Sequence, residues 1–338
     1  MKRAALWLTL VVMIVAFPLS AQDELTLVRV GALPFISFAP LFIADEEGYF
    51  AEQGIAVEYF RSESGGQQVA PLLRGELDVY GGSLNAAMLN AMGREPGSIL
   101  LVADKGYLPD DPDACETTGL VARPGLLENG TLSDAEIVRG LRYDANSTSL
   151  SFTTWALDVT LRTYGLTLDD VLIEDIDSVL LADSLTNGAI DATYAVEPLI
   201  TRLVEAGAGE LWIGANDVMP GTSYGFIAFG RNMLDNPELG ERFMIAYLRG
   251  SRQYNEGKTE RNLDILEKVT TLDRTLLETT CFTQIRSDGA INLESIIAYQ
   301  EWAASYGFID SVITDPDILL DTRFIDAANA AIEASSGS

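Results

Sequence analysis

Residues 72–79 read LLRGELDV, and residues 185–192 read LTNGAIDA. Each copy closes a helix with a glycine, Gly75 or Gly188, and opens a strand through an aspartate, Asp78 or Asp191. The match is short, and convergent helix-stop chemistry would also produce it. Its surroundings give it weight, because both copies stand at the same place in a longer alternation. Ahead of the first copy, LTLVRV (25–30) is a β-branched run that stops at Gly31, and APLFIADEEGYF (39–50) has helical spacing of apolar residues, ending at Gly48. Gly54 turns the chain into the strand IAVEYF (55–60), and residues 67–74 form a helix closed by Gly75. Residues 76–80 make a third strand, and Gly81-Gly82-Ser83 opens a helix over 84–92. Ahead of the second copy, 138–144 reads as strand, 149–164 as a helix ending at Gly165, and 171–176 as strand. The alternation predicts an α/β protein of two similar lobes, each a sheet covered on both faces.

Two such lobes place a ligand where strand ends and helix starts face each other across a cleft, commonly with hinge closure. Arg123-Pro124-Gly125 and Pro220-Gly221-Thr222 are the expected crossovers, dividing the chain after its leader into 22–123, 124–222 and 223–338. The last stretch is mainly helical, over 237–252, 262–269, 272–280, 293–306 and 321–334, and is expected to pack back on the first lobe.

Composition narrows the function. Among 338 residues there are 50 acidic and 22 basic side chains, no histidine and two cysteines, for a net charge of −28. Without histidine there is no Ser-His-Asp triad, no histidine base and no histidine-ligated zinc or copper. Two cysteines make neither a four-cysteine zinc site nor the ligand set of an iron–sulfur cluster. The acidic excess repels phosphate backbones, so no nucleic-acid partner is expected. Acidic pairs could still do acid–base work, but none is tied to a nucleophile, and no catalytic residue, metal or cofactor is expected.

The chain begins with a basic head, Lys2 and Arg3, an apolar run over 4–17, Pro18, and then Leu19-Ser20-Ala21. That order is a secretory signal peptide over 1–21, too short for the roughly 20 apolar residues of a membrane span. An uncut segment would instead tether the protein. No cysteine follows the run to accept a lipid. The expected location is periplasmic or at the cell surface. In an oxidising compartment Cys115 and Cys281 could pair, or stand as two separate thiols; spacing alone leaves both readings open.

The strings VRVGALPFISFAPLFIADEEGYFAEQGIAVEYF (28–60) and LLRGELDVYGGSLNAAMLNA (72–91) resemble the start of solute-binding proteins of ABC importers. The similar subgroup includes binders of nitrate, aliphatic sulfonates, taurine and the thiamin pyrimidine. YGLTLDDV (164–171), LTNGAIDATYAVEPLI (185–200), NPELGERFMIAYL (236–248), DGAINLESIIAYQEWAASYGFID (288–310) and DTRF (321–324) follow the same pattern in the same order. The resemblance implies a periplasmic-binding-protein fold of type II, with two crossovers, acting as a monomer. It also implies delivery of a captured solute to a membrane permease driven by a cytoplasmic ATPase. Related enzymes that make the thiamin pyrimidine use an internal histidine and a cysteine-rich iron site, neither of which this chain has.

Four segments are candidate ligand contacts. In Pro34-Phe35-Ile36-Ser37-Phe38, rings at a strand's carboxyl end would wall a planar ligand, or else cap the core. Gly82-Ser83-Leu84-Asn85 offers close backbone approach and free N–H groups, or simply a helix cap. Asn146, Ser147 and Thr148 stand at the matching helix start of the second lobe. Tyr194 and Glu197 stand at a strand end, where the carboxylate would suit an amino or ring N–H group, or cap a helix. Tyr224, like Tyr107 and Tyr143, lies near a predicted strand end, whereas Asp191 reads as structural because Asp78 repeats it. Lys105 and Arg142 fall outside these segments. An aromatic-plus-carboxylate set suits a small planar heteroaromatic nutrient, such as riboflavin or a thiamin-precursor pyrimidine. The alternatives are taurine, an alkylsulfonate or a nitrate-like solute, or a sensor module of the same fold.

Overall fold

Ten strands among the described residues divide into two five-stranded sheets. The computed structural model describes residues 25–336 apart from Pro34, Glu63, Pro112, residues 146–151 and Thr271. The expected signal segment and the candidates Pro34, Asn146, Ser147 and Thr148 lie outside the described residues. Strands β1 (Thr26–Ala32), β2 (Ile55–Arg61), β3 (Val79–Ser83) and β4 (Ile99–Tyr107) come from the first stretch of chain. The middle stretch supplies β5 (Thr118–Ala122), β6 (Arg142–Asp144), β7 (Leu172–Glu174), β8 (Ala192–Val196) and β9 (Glu210–Gly214). Strand β10 (Ser223–Gly230) then returns to the first sheet.

The sheet orders are β2-β1-β3-β10-β4 and β7-β6-β8-β5-β9. They are the same order with one strand exchanged. In each sheet the fourth strand is antiparallel to both neighbours, β10 in the first and β5 in the second. The chain therefore crosses between the sheets twice, after Tyr107 and after Gly214. The first crossing is earlier than Arg123-Pro124-Gly125, because β5 already belongs to the second sheet. Arg123 follows that strand, and its side chain pairs with Asp191 at 2.9 Å. Pro220-Gly221-Thr222 immediately precede β10, inside the second crossing.

The repeated aspartates do matching work. Asp78 Oδ2 accepts from the backbone N–H and the Nε of Arg29 on β1, at 2.7 and 3.1 Å. Asp191 Oδ2 accepts from the same two groups of Arg142 on β6, at 3.0 and 3.3 Å. Each arginine precedes its aspartate by 49 residues. Each pair closes the segment after a helix onto the strand that stands second in its sheet's order, β1 or β6, so the two copies are structurally equivalent.

Gly81-Gly82-Ser83 is strand rather than helix start. A Cβ on Gly81 would lie 2.8 Å from the Gly31 carbonyl oxygen and 2.9 Å from the Phe38 ring, so this glycine permits close packing. The helix begins at Ala86, and Asn85 caps it by accepting from Met88 N–H at 3.0 Å. The C-terminal helices pack against the first sheet through Phe229, Phe243 and Phe324, with ring centroids 5.0–5.8 Å apart. One buried cluster runs across both lobes, including Tyr80 and Met88 from the first and Tyr143, Trp155 and Tyr194 from the second. Cys115, in the first crossing, is disulfide-bonded to Cys281, with Cα atoms 5.7 Å apart. Among the described residues no helix is long and apolar enough to cross a membrane.

Candidate functional site

The carboxyl ends of β6, β7 and β8 open onto a cavity of about 1100 Å³ between the lobes. Phe35, Ser64 and Gln67 line it from the first lobe, and Thr270 and Leu272 from the end of the helix Glu260–Thr270 and the connection after it. Opposite stand Asp144, Asp175, Asp177, Tyr194, Glu197 and Arg202, together with Val179 and other aliphatic side chains. Two apolar side chains here are left unusually open, Phe35 at 44% and Val179 at 81% exposure. Exposed rings and aliphatics inside a concave site are the normal lining for a small ligand.

The loop after β1 divides in two. Phe35 faces the cavity, whereas Ser37 and Phe38 are buried in a 3₁₀ turn beneath it. The Phe38 N–H donates to the Phe35 carbonyl at 3.0 Å, so the turn fixes the backbone that carries the exposed ring. Ser37 and Phe38 are thus supports of the wall rather than part of it, because the close approach of Gly81 leaves the Phe38 ring in the core.

Ser83, Leu84 and Asn85 are not among the residues lining this cavity. Leu84 and Asn85 are buried, and the Ser83 carbonyl accepts from the Tyr80 hydroxyl at 2.6 Å. Asn85 caps its helix and donates to Tyr80 Oη at 3.2 Å. Capping accounts for Asn85 alone, since Ser83 ends β3 and Leu84 packs in the core. Tyr224 is likewise away from the lining, stacked on Phe152 with centroids 4.7 Å apart. Tyr143 is a core residue whose hydroxyl donates to the Val138 carbonyl at 2.9 Å. Tyr107 lies under the Arg286 guanidinium, 4.0 Å from the ring centroid. Tyr194 lines the cavity, but its phenol is buried, and that burial pushes its pKa above the ordinary value.

Glu197 reaches the cavity wall, yet its carboxylate is fully engaged within the protein. Oε1 accepts from the Thr201 hydroxyl at 2.8 Å and from Cys281 N–H at 3.4 Å. Oε2 accepts from Thr201 N–H at 3.1 Å and from the Thr280 hydroxyl at 2.9 Å. A carboxylate has about four lone-pair positions, so none is left for a ligand amine. Glu197 binds Thr201 in the first turn of the helix Leu199–Glu205 and ties it to the segment at 280–281.

The cavity also contains residues that sequence reasoning missed. Asp144 ends β6, and its two oxygens accept from Ile176 N–H at 3.0 Å and the Thr193 hydroxyl at 2.7 Å. Asp175 and Asp177 follow β7 directly. The rule that ligands gather at carboxyl ends of strands would have found all three. No local signal marks Thr270, Leu272 or Arg202, which distant packing brings to the cleft. Four carboxylates against one arginine give the wall an acidic balance that favours a cationic or neutral solute over an anion.

Residues 21–104 match the model of the NMT1-like family. No curated protein matches the chain. Among solved structures, the chain is similar to the periplasmic aliphatic sulphonate binding protein SsuA from Escherichia coli, with 14% identity, 88% of this chain and 92% of that one covered, and a TM-score of 0.67. It is similar to the periplasmic nitrate-binding protein NrtA from Synechocystis PCC 6803, with 15% identity, 93% and 91% covered, and a TM-score of 0.69. It is also similar to the desulfurization enzyme DSZB, with 14% identity, 91% and 99% covered, and a TM-score of 0.63. The chain has the two-lobed α/β fold of the periplasmic binding proteins. The two named binding proteins are a sulphonate binder and a nitrate binder, kinds that also appear in the group the sequence resembles.

Proposed function

We propose that this chain is the exported solute-binding component of an ABC importer, and that it captures a flat heteroaromatic nutrient of the flavin or aminopyrimidine kind. A membrane permease and its ATPase are the partners in this reading. The observation that carries the ligand class is the Phe35 ring, left open at the mouth of a cavity whose opposite wall is rich in carboxylates. A ring lying on Phe35 gains offset stacking, and amino or ring N–H groups meet an acidic rather than a basic wall. The two-lobed fold shared with named binding proteins supports the carrier role. The second reading is a sulfonate or nitrate solute, as in the names of those neighbours, with Arg202 as its cation.

A thermal-shift screen separates the two, since a ligand that binds only the folded state stabilises it by about 2.7 kcal/mol at 100 times Kd. Riboflavin or an aminopyrimidine should raise the melting temperature, and bound flavin emission should be quenched. Saturable binding of taurine or nitrate, with no response to the rings, overturns the heteroaromatic reading. Phe35→Ala should weaken ring binding by about 1–2 kcal/mol, roughly five- to thirty-fold, without lowering the melting temperature of the free protein. Unchanged affinity in that variant would remove Phe35 from the site.

A further inference from the structure

Lys105 is 3% exposed, near the carboxyl end of β4, and none of the candidate segments contains it. A buried ammonium is costly unless something compensates it. Here the compensation comes from the turn after β1. Lys105 Nζ donates to the Ser37 hydroxyl at 3.2 Å and to the Ser37 carbonyl at 3.3 Å. It also sits 3.7 Å above the centroid of the Phe38 ring, within cation–π range. Among the described residues it makes no ion pair with a carboxylate. The same turn is bonded through Phe38 N–H to the carbonyl of Phe35, the exposed ring at the cleft.

We propose that Lys105 is the positioning residue of the solute loop: its grip on Ser37 and Phe38 sets where Phe35 stands at the cleft, and so how tightly solute is held. The proposal rests on the cleft being the solute site, because it is Phe35 that carries the effect there.

Asp104, its neighbour on β4, is the charged group acting on it, and this carboxylate is turned toward Arg286 at 2.9 Å. Burial raises the Asp104 pKa to about 6, so it gains charge as pH rises from there, and K105M reports that contribution separately. Arg286 also donates to the Ser223 hydroxyl on β10. From the helix Pro237–Tyr254, the Tyr247 hydroxyl donates to the Asp104 carbonyl at 3.0 Å. The turn Ile36–Phe38 brings no titratable side chain. Burial lowers the Lys105 pKa to about 7, with Asp104 holding it up in part. Loss of the proton removes one donor and the attraction to the Phe38 ring, so the grip weakens as pH rises through neutrality. Global stability moves the other way. The unfolded chain binds this proton more tightly, so between pH 7 and about 10.5 the Lys105 contribution to stability rises with pH. A role in stability alone and a role in positioning the loop therefore have opposite pH signatures.

The test uses K105M and K105R in the full chain. In a Phe35→Trp background, acrylamide quenching and anisotropy of the introduced indole report the loop without any ligand. Four native tryptophans contribute a background, which the same measurements on the Phe35 parent subtract. K105M should leave the introduced indole more accessible at pH 6, the parent should approach K105M by pH 8.5, and K105R should stay ordered throughout. Riboflavin titrations on the Phe35 forms should show parent affinity falling several-fold over the same range, with K105M weak and flat. Indole signals indifferent to both pH and residue 105 overturn the inference, as does parent-like riboflavin affinity in K105M. If no form binds riboflavin while the introduced indole still responds, the solute assignment fails and the control of the loop stands.

Discussion

Glu197→Ala will destabilise the protein by about 2–4 kcal/mol, because it removes the single charged acceptor of four hydrogen bonds, each worth roughly 1.5–3 kcal/mol before relaxation and water entry. The side chain is buried, and it satisfies four donors, two on each oxygen. Truncation strands the N–H groups of Thr201 and Cys281 and the hydroxyls of Thr201 and Thr280, each losing a hydrogen bond to a charged acceptor. Glu197→Gln keeps the shape but turns an NH₂ toward donors, so it should recover only part of the loss. Urea unfolding gives the answer through the midpoint at constant slope. A change below about 0.5 kcal/mol in the alanine variant would place Glu197 in the ordinary surface class.

Breaking the Cys115–Cys281 bond is the second large effect. It closes a loop of 166 residues, and in the chain-entropy account a loop of about 100 residues already contributes roughly 4.7 kcal/mol. Measured losses of native disulfides run at about 2–5 kcal/mol, and that is the expected cost of Cys115→Ser with Cys281→Ser. Dithiothreitol should lower the melting temperature of the parent to that of the double variant and leave the double variant unmoved. A parent indifferent to reductant contradicts the pairing. Because Glu197 binds the backbone of Cys281 itself, its substitution and the loss of the disulfide act on one segment. Their costs should fall short of a simple sum, and a double-mutant cycle measures the shortfall.

What can be read from the residues follows the range of the forces involved. Strand–helix alternation is local, so two similar lobes are legible, as is the matched use of Asp78 and Asp191. The cap of the helix at Ala86 is read two residues early: Ser83 stands where the sequence expects the cap, and Asn85 is the residue that accepts from Met88 N–H. The first crossing is not legible. TGLVA falls on the first-lobe side of the expected crossover at 123–125, and only its antiparallel pairing with β8 puts it in the second. Ser37 and Phe38 read as cleft residues in the sequence because burial beside Gly81 depends on a strand about 40 residues further on. Glu197 is legible as a strand-end carboxylate, but its partners at 280 and 281 lie 83 and 84 residues away. Chemistry at a strand end is readable; the neighbour that consumes it is not.

The exchanged strands have a consequence for how the molecule is made. The second sheet draws on one continuous stretch, from β5 to β9, and is complete once residue 214 exists. The first sheet keeps a vacancy between β3 and β4 that only β10 fills. During synthesis the earlier lobe therefore waits, open-edged, for the later one to be finished. Such long-range pairing slows folding, and a chain that cannot close its first sheet until the second has emerged stays threadable for longer. The strand order acts as a built-in delay on the half of the protein made first.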